Sequence, residues 1–172
     1  INEIANLCEK TGADVKEVAK GMGMDSRIGP RFLQAGIGWG GSCFPKDIDA
    51  LTAIARQNKV KLRITEACSE VNDEQKKLLV PKLKKLLGSL KGRKIAVWGL
   101  AFKPKTDDMR EAPSITLIQL LQKQGAKIRA FDPVAEENAK KIFKSIEFGK
   151  DPYDTLKGCD ALAIVTEWTE FI

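Results

Sequence analysis

The sequence predicts an α/β protein in which an all-helical region, residues 1–90, is followed by a parallel-sheet region, residues 91–172. In the first region, apolar residues recur three and four positions apart, which is typical of helices that bury one face. From residue 94 onward, short apolar runs alternate with helical segments, which indicates β-α-β units. The chain has 172 residues, of which 43% are hydrophobic, and this is ample for packed cores.

Four helical segments are predicted in the first region. The first covers residues 1–10 and has Cys8 on its buried side, and the second follows its cap Asp14 and ends by Gly23. The third helix is expected over residues 45–58, where apolar residues keep the helical spacing. Together these segments indicate an all-helical region.

The fourth helical segment covers residues 63–87 and carries a broad apolar stripe. Without interruption it would be a linking helix nearly 40 Å long at about 1.5 Å per residue, long enough to join two domains. Pro81 removes one backbone hydrogen bond and crowds the preceding turn, so we expect it to kink this helix or to mark a restart.

The second region is predicted to alternate strands and helices. Its segments are a strand at 94–99, a helix at 112–124, a strand at 126–132, a helix at 135–143, a strand at 145–148 and a strand-like run at 161–165. In open parallel sheets, ligands bind beyond the carboxyl ends of the strands. We therefore expect the ligand edge to contain residues 99–111 and 132–133.

The net charge of +6 owes much to a basic cluster near the end of the fourth helical segment. Its members are Lys76, Lys77, Lys82, Lys84, Lys85, Lys91, Arg93 and Lys94. No aromatic residues interleave with them, as stacking on nucleic-acid bases would require, so a solvated helix face is the favoured interpretation.

No run approaches the roughly 18 apolar residues of a membrane span, and no charged-then-apolar leader precedes Ile1. We therefore expect a cytoplasmic protein without a membrane or nucleic-acid partner. Because the chain begins in mid-helix and stops just after a strand-like run, we also expect it to be a fragment.

Cysteine and histidine usage excludes several kinds of site. The four cysteines, Cys8, Cys43, Cys68 and Cys159, form no C-x-x-C pair, which argues against zinc and a disulfide framework and favours free thiols. Histidine is absent, which excludes a Ser-His-Asp or Cys-His arrangement and a His-ligated metal within this chain. No metal site is predicted, and acid–base chemistry falls to Asp, Glu, Lys or water.

Residues 36–47, Gly-Ile-Gly-Trp-Gly-Gly-Ser-Cys-Phe-Pro-Lys-Asp, are predicted to form an active-site loop. Four glycines within six residues allow the backbone to approach a ligand closely. Pro45 suits the first turn of a helix, which places Cys43 just before a helix N-terminus. The helix dipole and Lys46 favour a thiolate there, so Cys43 is predicted to be a nucleophile. Lys46 either stabilises this thiolate or is simply solvated. Asp47 either complements the helix dipole or positions water or a lysine.

The loop from residue 99 to residue 111 lacks the G-x-G-x-x-G pattern, so it is not a dinucleotide fingerprint. Lys103, Lys105 and Arg110 lie between a strand and the next helix N-terminus, a place suited to anionic groups. The same loop also contains three acidic residues, so a mixed-charge surface loop that binds no ligand is the alternative interpretation. Asp132 either binds a ribose or only ends its strand.

The glycine-rich loop resembles that of the UDP-glucose 6-dehydrogenases, within the wider UDP-glucose/GDP-mannose dehydrogenase family. The resemblance rests on the run Gly-aromatic-Gly-Gly-Ser-Cys-Phe-Pro-Lys-Asp at residues 38–47 and covers the whole chain. Trp39 stands where phenylalanine or tyrosine is expected, which preserves the aromatic character. The resemblance implies a helical dimerisation region at 1–90 and an incomplete Rossmann-like, UDP-binding domain at 91–172.

The resemblance also implies residue roles. The catalytic residues would be Cys43, Lys46 and Asp47, and NAD would lie next to Cys43 and Arg110. The UDP-sugar would contact Arg27, Phe32, Leu33, Gly36, Gly38, Gly40, Phe102 and Lys103. On the sequence alone Arg27 is either solvated or a ligand; the resemblance implies that it reaches across a dimer interface to the partner's substrate.

The chemistry implied is a four-electron oxidation of the sugar C6 alcohol to a carboxylate with two NAD in succession. Cys43 would trap the aldehyde as a thiohemiacetal and carry it on as a thioester. The family's nucleotide-binding domain, its upstream lysine and asparagine and its last substrate arginine have no counterpart in this sequence, so the chain alone is expected to be inactive. A homodimer or higher homo-oligomer through the central helices is expected.

Three alternatives stay open. A GDP-mannose or UDP-N-acetylhexosamine dehydrogenase of the same family would share these motifs. A non-catalytic UDP-sugar-binding or dimerisation module would not need Cys43 for NADH production. A cysteine acyl-transfer enzyme would form a thioester without NAD.

Overall fold

A computed structural model describes residues 1–171 of the chain and confirms the α/β class. The helical part contains α1 (Asn2–Thr11), α2 (Val15–Gly23), α3 (Phe44–Gln57), α4 (Arg63–Gln75) and α5 (Leu79–Leu87). The sheet part contains β1 (Lys94–Trp98), α6 (Pro113–Lys123), β2 (Lys127–Phe131), α7 (Glu136–Ile142), β3 (Glu147–Phe148), α8 (Pro152–Leu156), β4 (Ala161–Ile164) and a 3₁₀ turn at Thr169–Phe171. Helix α8 and the 3₁₀ turn are absent from the sequence prediction, because each is shorter than two helical turns.

The predicted ends of the first two helices and the predicted cap of the second are confirmed. Helix α1 ends at Gly12, whose φ of 78° lies in the left-handed region that glycine adopts without strain. Helix α2 begins after Asp14, whose carboxylate accepts the N–H of Lys16 at 2.7 Å. Cys8 is buried, as its place on the apolar side of α1 predicts.

The predicted helix over residues 63–87 is two helices. Helix α5 begins at Leu79, so the break lies just before Pro81, which was predicted to cause a kink or a restart. Pro81 has no N–H to donate to the carbonyl of Lys77, and that carbonyl instead accepts the N–H of Val80 at 3.1 Å. The N–H of Leu78 bonds to Gln75 at 3.1 Å, so the junction between α4 and α5 is a tighter, 3₁₀-like turn. One continuous linking helix is therefore not formed.

The four strands form one parallel sheet in the order β3-β2-β1-β4. Ile95 of β1 lies opposite Ile128 of β2 on one side and Ala161 of β4 on the other. Strand β1 is almost wholly buried, which explains its continuous apolar run. Strand β3 has only two residues and is shorter than the predicted segment 145–148.

The main core belongs to the sheet and to α6, and α5 takes part in it. Leu117 and Ile118 of α6 are fully buried in this core, and Leu83 of α5 is 6% exposed in the same cluster. Helix α5 is thus attached to the sheet region by packing, although it precedes the predicted domain boundary at residues 90 and 91. That boundary stays a prediction.

The helical region, both in its helices and in the segments between them, leaves many large apolar side chains exposed. The exposed ones are Ile4, Leu7, Met24, Ile28, Phe32, Phe44, Leu51, Ile54, Val60, Ile64 and Leu86. Ile64, for example, is 82% exposed, so the apolar stripe of residues 63–87 is only partly used within the chain. Among residues 1–171, no helix combines the length and apolar content that crossing a bilayer requires.

The core assignment predicts a contrast between two leucines. Leu117→Ala should lower the free energy of unfolding by about 2–5 kcal/mol, because it leaves a cavity at a fully buried position. Leu86→Ala, at a position that is 72% exposed, should change it by less than about 0.5 kcal/mol. Urea unfolding of the two variants tests the prediction, and equal losses would contradict it.

Candidate active site

Cys43 lies immediately before the first residue of α3, in the position that the sequence predicts. Its thiol is exposed, with Sγ 3.7 Å from the hydroxyl of Ser42, and its carbonyl accepts the N–H of Asp47 at 3.0 Å. Pro45 lies in the first turn of α3, where its missing N–H leaves no carbonyl unpaired. The thiol is therefore open to solvent at the positive end of a helix dipole.

Helix α4 holds the glycine-rich loop through two buried amides. The carboxamide of Asn72 accepts the Trp39 N–H at 2.8 Å and donates to the Trp39 carbonyl at 3.1 Å. One turn further along α4, Gln75 donates to the carbonyl of Gly36 at 2.7 Å. The N–H of Gly36 bonds to Asn2 at 2.9 Å, so the start of the loop is fixed from both sides.

The sheet region holds the loop from the other side. The N–H of Gly41 donates to the carbonyl of Arg110 at 2.8 Å. A Cβ atom on Gly40 would lie 2.1 Å from the carbonyl oxygen of Glu111, and one on Gly41 would lie 2.8 Å from the Phe102 ring. Gly41 also has a φ of 92°. These two glycines are required by close approach and, at Gly41, by backbone conformation.

Lys76 joins the two sides of the loop. Its side chain is 8% exposed, and its ammonium nitrogen lies 3.9 Å from carboxylate oxygens of Asp73 and of Glu111. Its stem packs beneath Gly38, where a Cβ would come within 3.1 Å. The interpretation of the basic cluster as a solvated face is therefore wrong for Lys76, although Lys77 and most of the others are exposed.

Two cations lie near Cys43. Lys46 pairs with Asp47 at 2.7 Å, and its pKa lies above the usual value, chiefly through that hydrogen bond and to a smaller extent through the Cys43 thiolate charge. Arg110 pairs with Asp108 at 2.7 Å, and its pKa is raised chiefly by that hydrogen bond, with a smaller contribution from Cys43. The same bond lowers the pKa of Asp108. One ion pair from each region, Lys46–Asp47 and Arg110–Asp108, thus lies near the exposed thiol.

Comparison with known proteins identifies the family. Residues 1–74 match the model of the UDP-glucose/GDP-mannose dehydrogenase family, central domain, and residues 96–172 match the model of the same family's UDP binding domain. The chain belongs to the UDP-glucose/GDP-mannose dehydrogenase family.

Several relatives match almost the whole chain. A UDP-glucose 6-dehydrogenase of Rhizobium meliloti is 49% identical over 172 residues, covering 99% of the chain and 39% of the relative. The UDP-glucose 6-dehydrogenase TuaD of Bacillus subtilis is 49% identical over 171 residues, covering 99% of the chain and 37% of the relative. The chain therefore spans about two fifths of the length of these relatives.

Solved structures share the fold. A UDP-glucose dehydrogenase from Pyrobaculum islandicum superposes with a TM-score of 0.96 at 36% identity, covering 99% of this chain and 40% of the other. A GDP-mannose dehydrogenase from Pseudomonas aeruginosa, solved as a ternary complex, superposes with a TM-score of 0.71 at 28% identity. The match covers 99% of this chain and 41% of the other. The arrangement of helices and parallel sheet is thus that of nucleotide-sugar dehydrogenases.

Two of the residues that family resemblance predicts to meet the substrate lie together beside the loop. Phe102 packs against Gly41, and the ammonium of Lys103 lies 5.3 Å from the centroid of the Phe102 ring. Lys103 is exposed, so its charge faces solvent. Phe102 and Lys103 thus lie beside the loop that carries Cys43, and their roles as ligands stay predictions.

Three further predicted substrate residues lie in the segment before the loop. Arg27 is exposed, and its hydrogen bonds within the described part of the chain go to Asp25, so they do not join it to Cys43. Phe32 is 89% exposed with a φ of 63°, an unusual backbone conformation for an aromatic residue on a free surface. Leu33 is half-buried and lines a groove with Val15. Their roles as ligands stay predictions.

Asp132 is a structural carboxylate, which decides between the two alternatives that the sequence left open. Its side chain is 2% exposed. It accepts hydrogen bonds from the backbone N–H groups of Leu100, Ala101, Val134 and Ala135 and from the indole N–H of Trp168, at 2.7 to 3.2 Å. These bonds occupy the carboxylate, so Asp132 fixes the ligand edge of the sheet and is not available to a ribose.

Asn72, Gln75 and Lys76 were missed by sequence reasoning. A signal was present, since two amides three residues apart interrupt the apolar stripe of the fourth helical segment on its buried side. Polar residues that are buried in a helix need partners, and here those partners are backbone groups of the loop. Within the described residues, no three His, Cys, Asp or Glu side chains come close enough together to hold a metal ion.

The docking geometry predicts that two glycines of one loop respond differently to a methyl group. Gly40→Ala should lower the free energy of unfolding by about 1–3 kcal/mol, because the methyl meets the Glu111 backbone. Gly36→Ala meets nothing within 4 Å and should be tolerated. Urea unfolding measures both, and the prediction fails if Gly40→Ala is as stable as the native chain.

The four free cysteines should differ in alkylation by iodoacetamide. Burial raises the pKa of the Cys159 thiol, so at neutral pH a smaller fraction of it is thiolate and it should react at least about tenfold more slowly than exposed Cys43. The difference between the alkylation rates of Cys43 and Cys159 should become smaller as the pH rises toward the raised pKa of Cys159. Peptide mapping by mass spectrometry follows each cysteine, and the denatured chain, in which the cysteines should react alike, is the control.

Proposed function

We propose that this chain is the central and C-terminal part of an NAD-dependent UDP-glucose 6-dehydrogenase, which oxidises UDP-glucose to UDP-glucuronate. The observation that carries the proposal is the exposed thiol of Cys43 at the N-terminus of α3, on a loop docked against Phe102 and the backbone of Arg110. Identity of 49% to relatives named UDP-glucose 6-dehydrogenase supports this sugar over the alternatives.

Cys43 is the nucleophile in this proposal. Once the C6 alcohol has been oxidised to the aldehyde, the thiolate adds to the carbonyl carbon and forms a thiohemiacetal. Loss of a second hydride converts it into a thioester, and water then cleaves the C–S bond, giving the carboxylate and returning the thiol. Covalent capture keeps the aldehyde bound between the two oxidations.

The residues around Cys43 fit the cofactor. The Arg110 guanidinium is exposed and near enough for the thiolate charge to affect it, so it is suited to hold the anionic part of NAD beside the sulfur. NAD, when bound, supplies the hydride acceptor for both oxidations. Lys46 and Arg110 stabilise the thiolate, and Asp47 positions the hydrolytic water from one turn into α3.

The remaining predicted residues hold the substrate. Phe102 and Lys103 meet the UDP-sugar at the ligand edge of the sheet, and the loop backbone at Gly36, Gly38 and Gly40 approaches the sugar. Arg27, Phe32 and Leu33 complete the site, with Arg27 reaching the partner subunit's substrate. The exposed apolar side chains of the first five helices support a homodimer or higher homo-oligomer through this region. We place the enzyme in the cytoplasm, where thiols such as the four here stay reduced.

The test uses the full-length protein with UDP-glucose and NAD. Two NADH per UDP-glucose are expected, and Cys43→Ala should lower the rate of carboxylate formation more than about a thousandfold, because the covalent intermediate is lost. Cys68→Ala, which removes another exposed thiol, should leave the rate unchanged.

Each alternative gives a different result in the same assay. A non-catalytic module predicts that Cys43→Ala leaves NADH formation untouched. An acyl-transfer enzyme predicts no NADH from any sugar nucleotide. Greater activity with GDP-mannose or a UDP-N-acetylhexosamine would keep the mechanism and change the substrate.

A further inference from the structure

Asn72 makes a paired contact with one residue of the glycine-rich loop. Its side chain is 4% exposed, its oxygen accepts the Trp39 N–H at 2.8 Å and its nitrogen donates to the Trp39 carbonyl at 3.1 Å. The carboxamide thereby satisfies both backbone groups of Trp39, as a neighbouring strand would. Only a side chain with one donor and one acceptor side by side does this, so neither a carboxylate nor an aliphatic group replaces it.

Trp39 connects this contact to the thiol. Its ring lies 5.2 Å from the ring of Phe44, centroid to centroid, and Phe44 is the first residue of α3 and the neighbour of Cys43. Between Trp39 and Cys43 the backbone is held by the bond from Gly41 to Arg110. Asn72 therefore fixes the first residue of this short segment, and the sheet region holds its middle at Gly41.

The other contacts of α4 act further from the thiol. Gln75 bonds to Gly36, seven residues before Cys43, and the Lys76 stem packs beneath Gly38. Both are compatible with keeping the loop folded. Asn72 alone among these three side chains bonds to the residue whose ring touches α3 beside Cys43.

We infer that Asn72 is a positioning residue that sets where the Cys43 sulfur lies relative to the sugar C6, and that it acts through the backbone of Trp39. The inference rests on the proposed function for its catalytic consequence. Phe102 and Lys103, which hold the nucleotide in the proposed function, belong to the sheet region, whereas the side-chain hydrogen bonds of Asn72 go to Trp39. Loss of the paired contact therefore affects reaction at the sulfur more than affinity for the nucleotide sugar.

The experiment uses the full-length enzyme and the variant Asn72→Leu, which has nearly the same size and neither hydrogen bond. Displacement of a reacting group by about 1 Å costs on the order of a hundredfold in rate, so kcat should fall about a hundredfold while the KM for UDP-glucose changes less than about threefold. More aldehyde should be released per NADH, because the thiol no longer captures it efficiently. Alkylation of Cys43 without substrate should slow about fivefold, as the sulfur leaves its place at the helix N-terminus.

Two further variants separate positioning from stability. Leu83→Ala leaves a cavity in the core of the sheet region and should lower the melting temperature at least as much as Asn72→Leu does. Its kcat, its aldehyde release and the alkylation of Cys43 should stay close to native. Asn72→Asp keeps the size and the acceptor for the Trp39 N–H but loses the donor. Asn72→Asp should show the same pattern as Asn72→Leu, with a smaller fall in kcat of about tenfold. If Asn72→Leu does not fold, Asn72→Asp replaces it in the experiment.

The outcomes are distinct. If the Asn72 variants match Leu83→Ala in kcat, aldehyde release and Cys43 alkylation, Asn72 is only structural and the inference is overturned. If the native enzyme forms no NADH from any sugar nucleotide, the proposed function fails. In that case the alkylation rate of Cys43 still tests the positioning role of Asn72. An unchanged rate in both Asn72 variants overturns that role, and a lower rate supports it.

Discussion

The contact on which the rest of the site depends is the docking of the glycine-rich loop between helix α4 and the backbone of residues 110–112. On one side the loop offers its amide groups to Asn72 and Gln75, and on the other it lies so close to Glu111 that only a glycine fits at position 40. Because residues about seventy positions apart meet here, the helical region and the sheet region share one site. Neither region alone places the loop that carries Cys43 beside Phe102 and Arg110.

Local signals in the sequence were sufficient for much of this. The glycine run and Pro45 predict a loop followed by a helix, so the place of Cys43 at the N-terminus of α3 follows from neighbouring residues alone. The alternation of strands and helices predicts the parallel sheet, whose register and order the structure adds. The break just before Pro81 also follows from a local cause, the missing N–H of proline.

Interactions between distant residues could not be predicted in this way. Lys76 has the same sequence context as the exposed lysines around it, and its burial follows only from the meeting of Gly38, Asp73 and Glu111. Asn72 lies 33 residues from its partner Trp39, so nothing near it in the chain shows what it binds. An acidic residue at the end of a strand suits a ribose or a set of backbone N–H groups equally well, and only the fold distinguishes them at Asp132.

The arrangement around Asp132 has a consequence for protein engineering. One carboxylate anchors the start of the loop after β1, the turn after β2 and the indole of Trp168 near the end of the described chain. A loop transplanted from another enzyme to change substrate specificity therefore has to arrive with backbone amides that reach the same carboxylate. The loop and Asp132 thus form one structural unit, and a redesign of residues 99–111 has to treat them together.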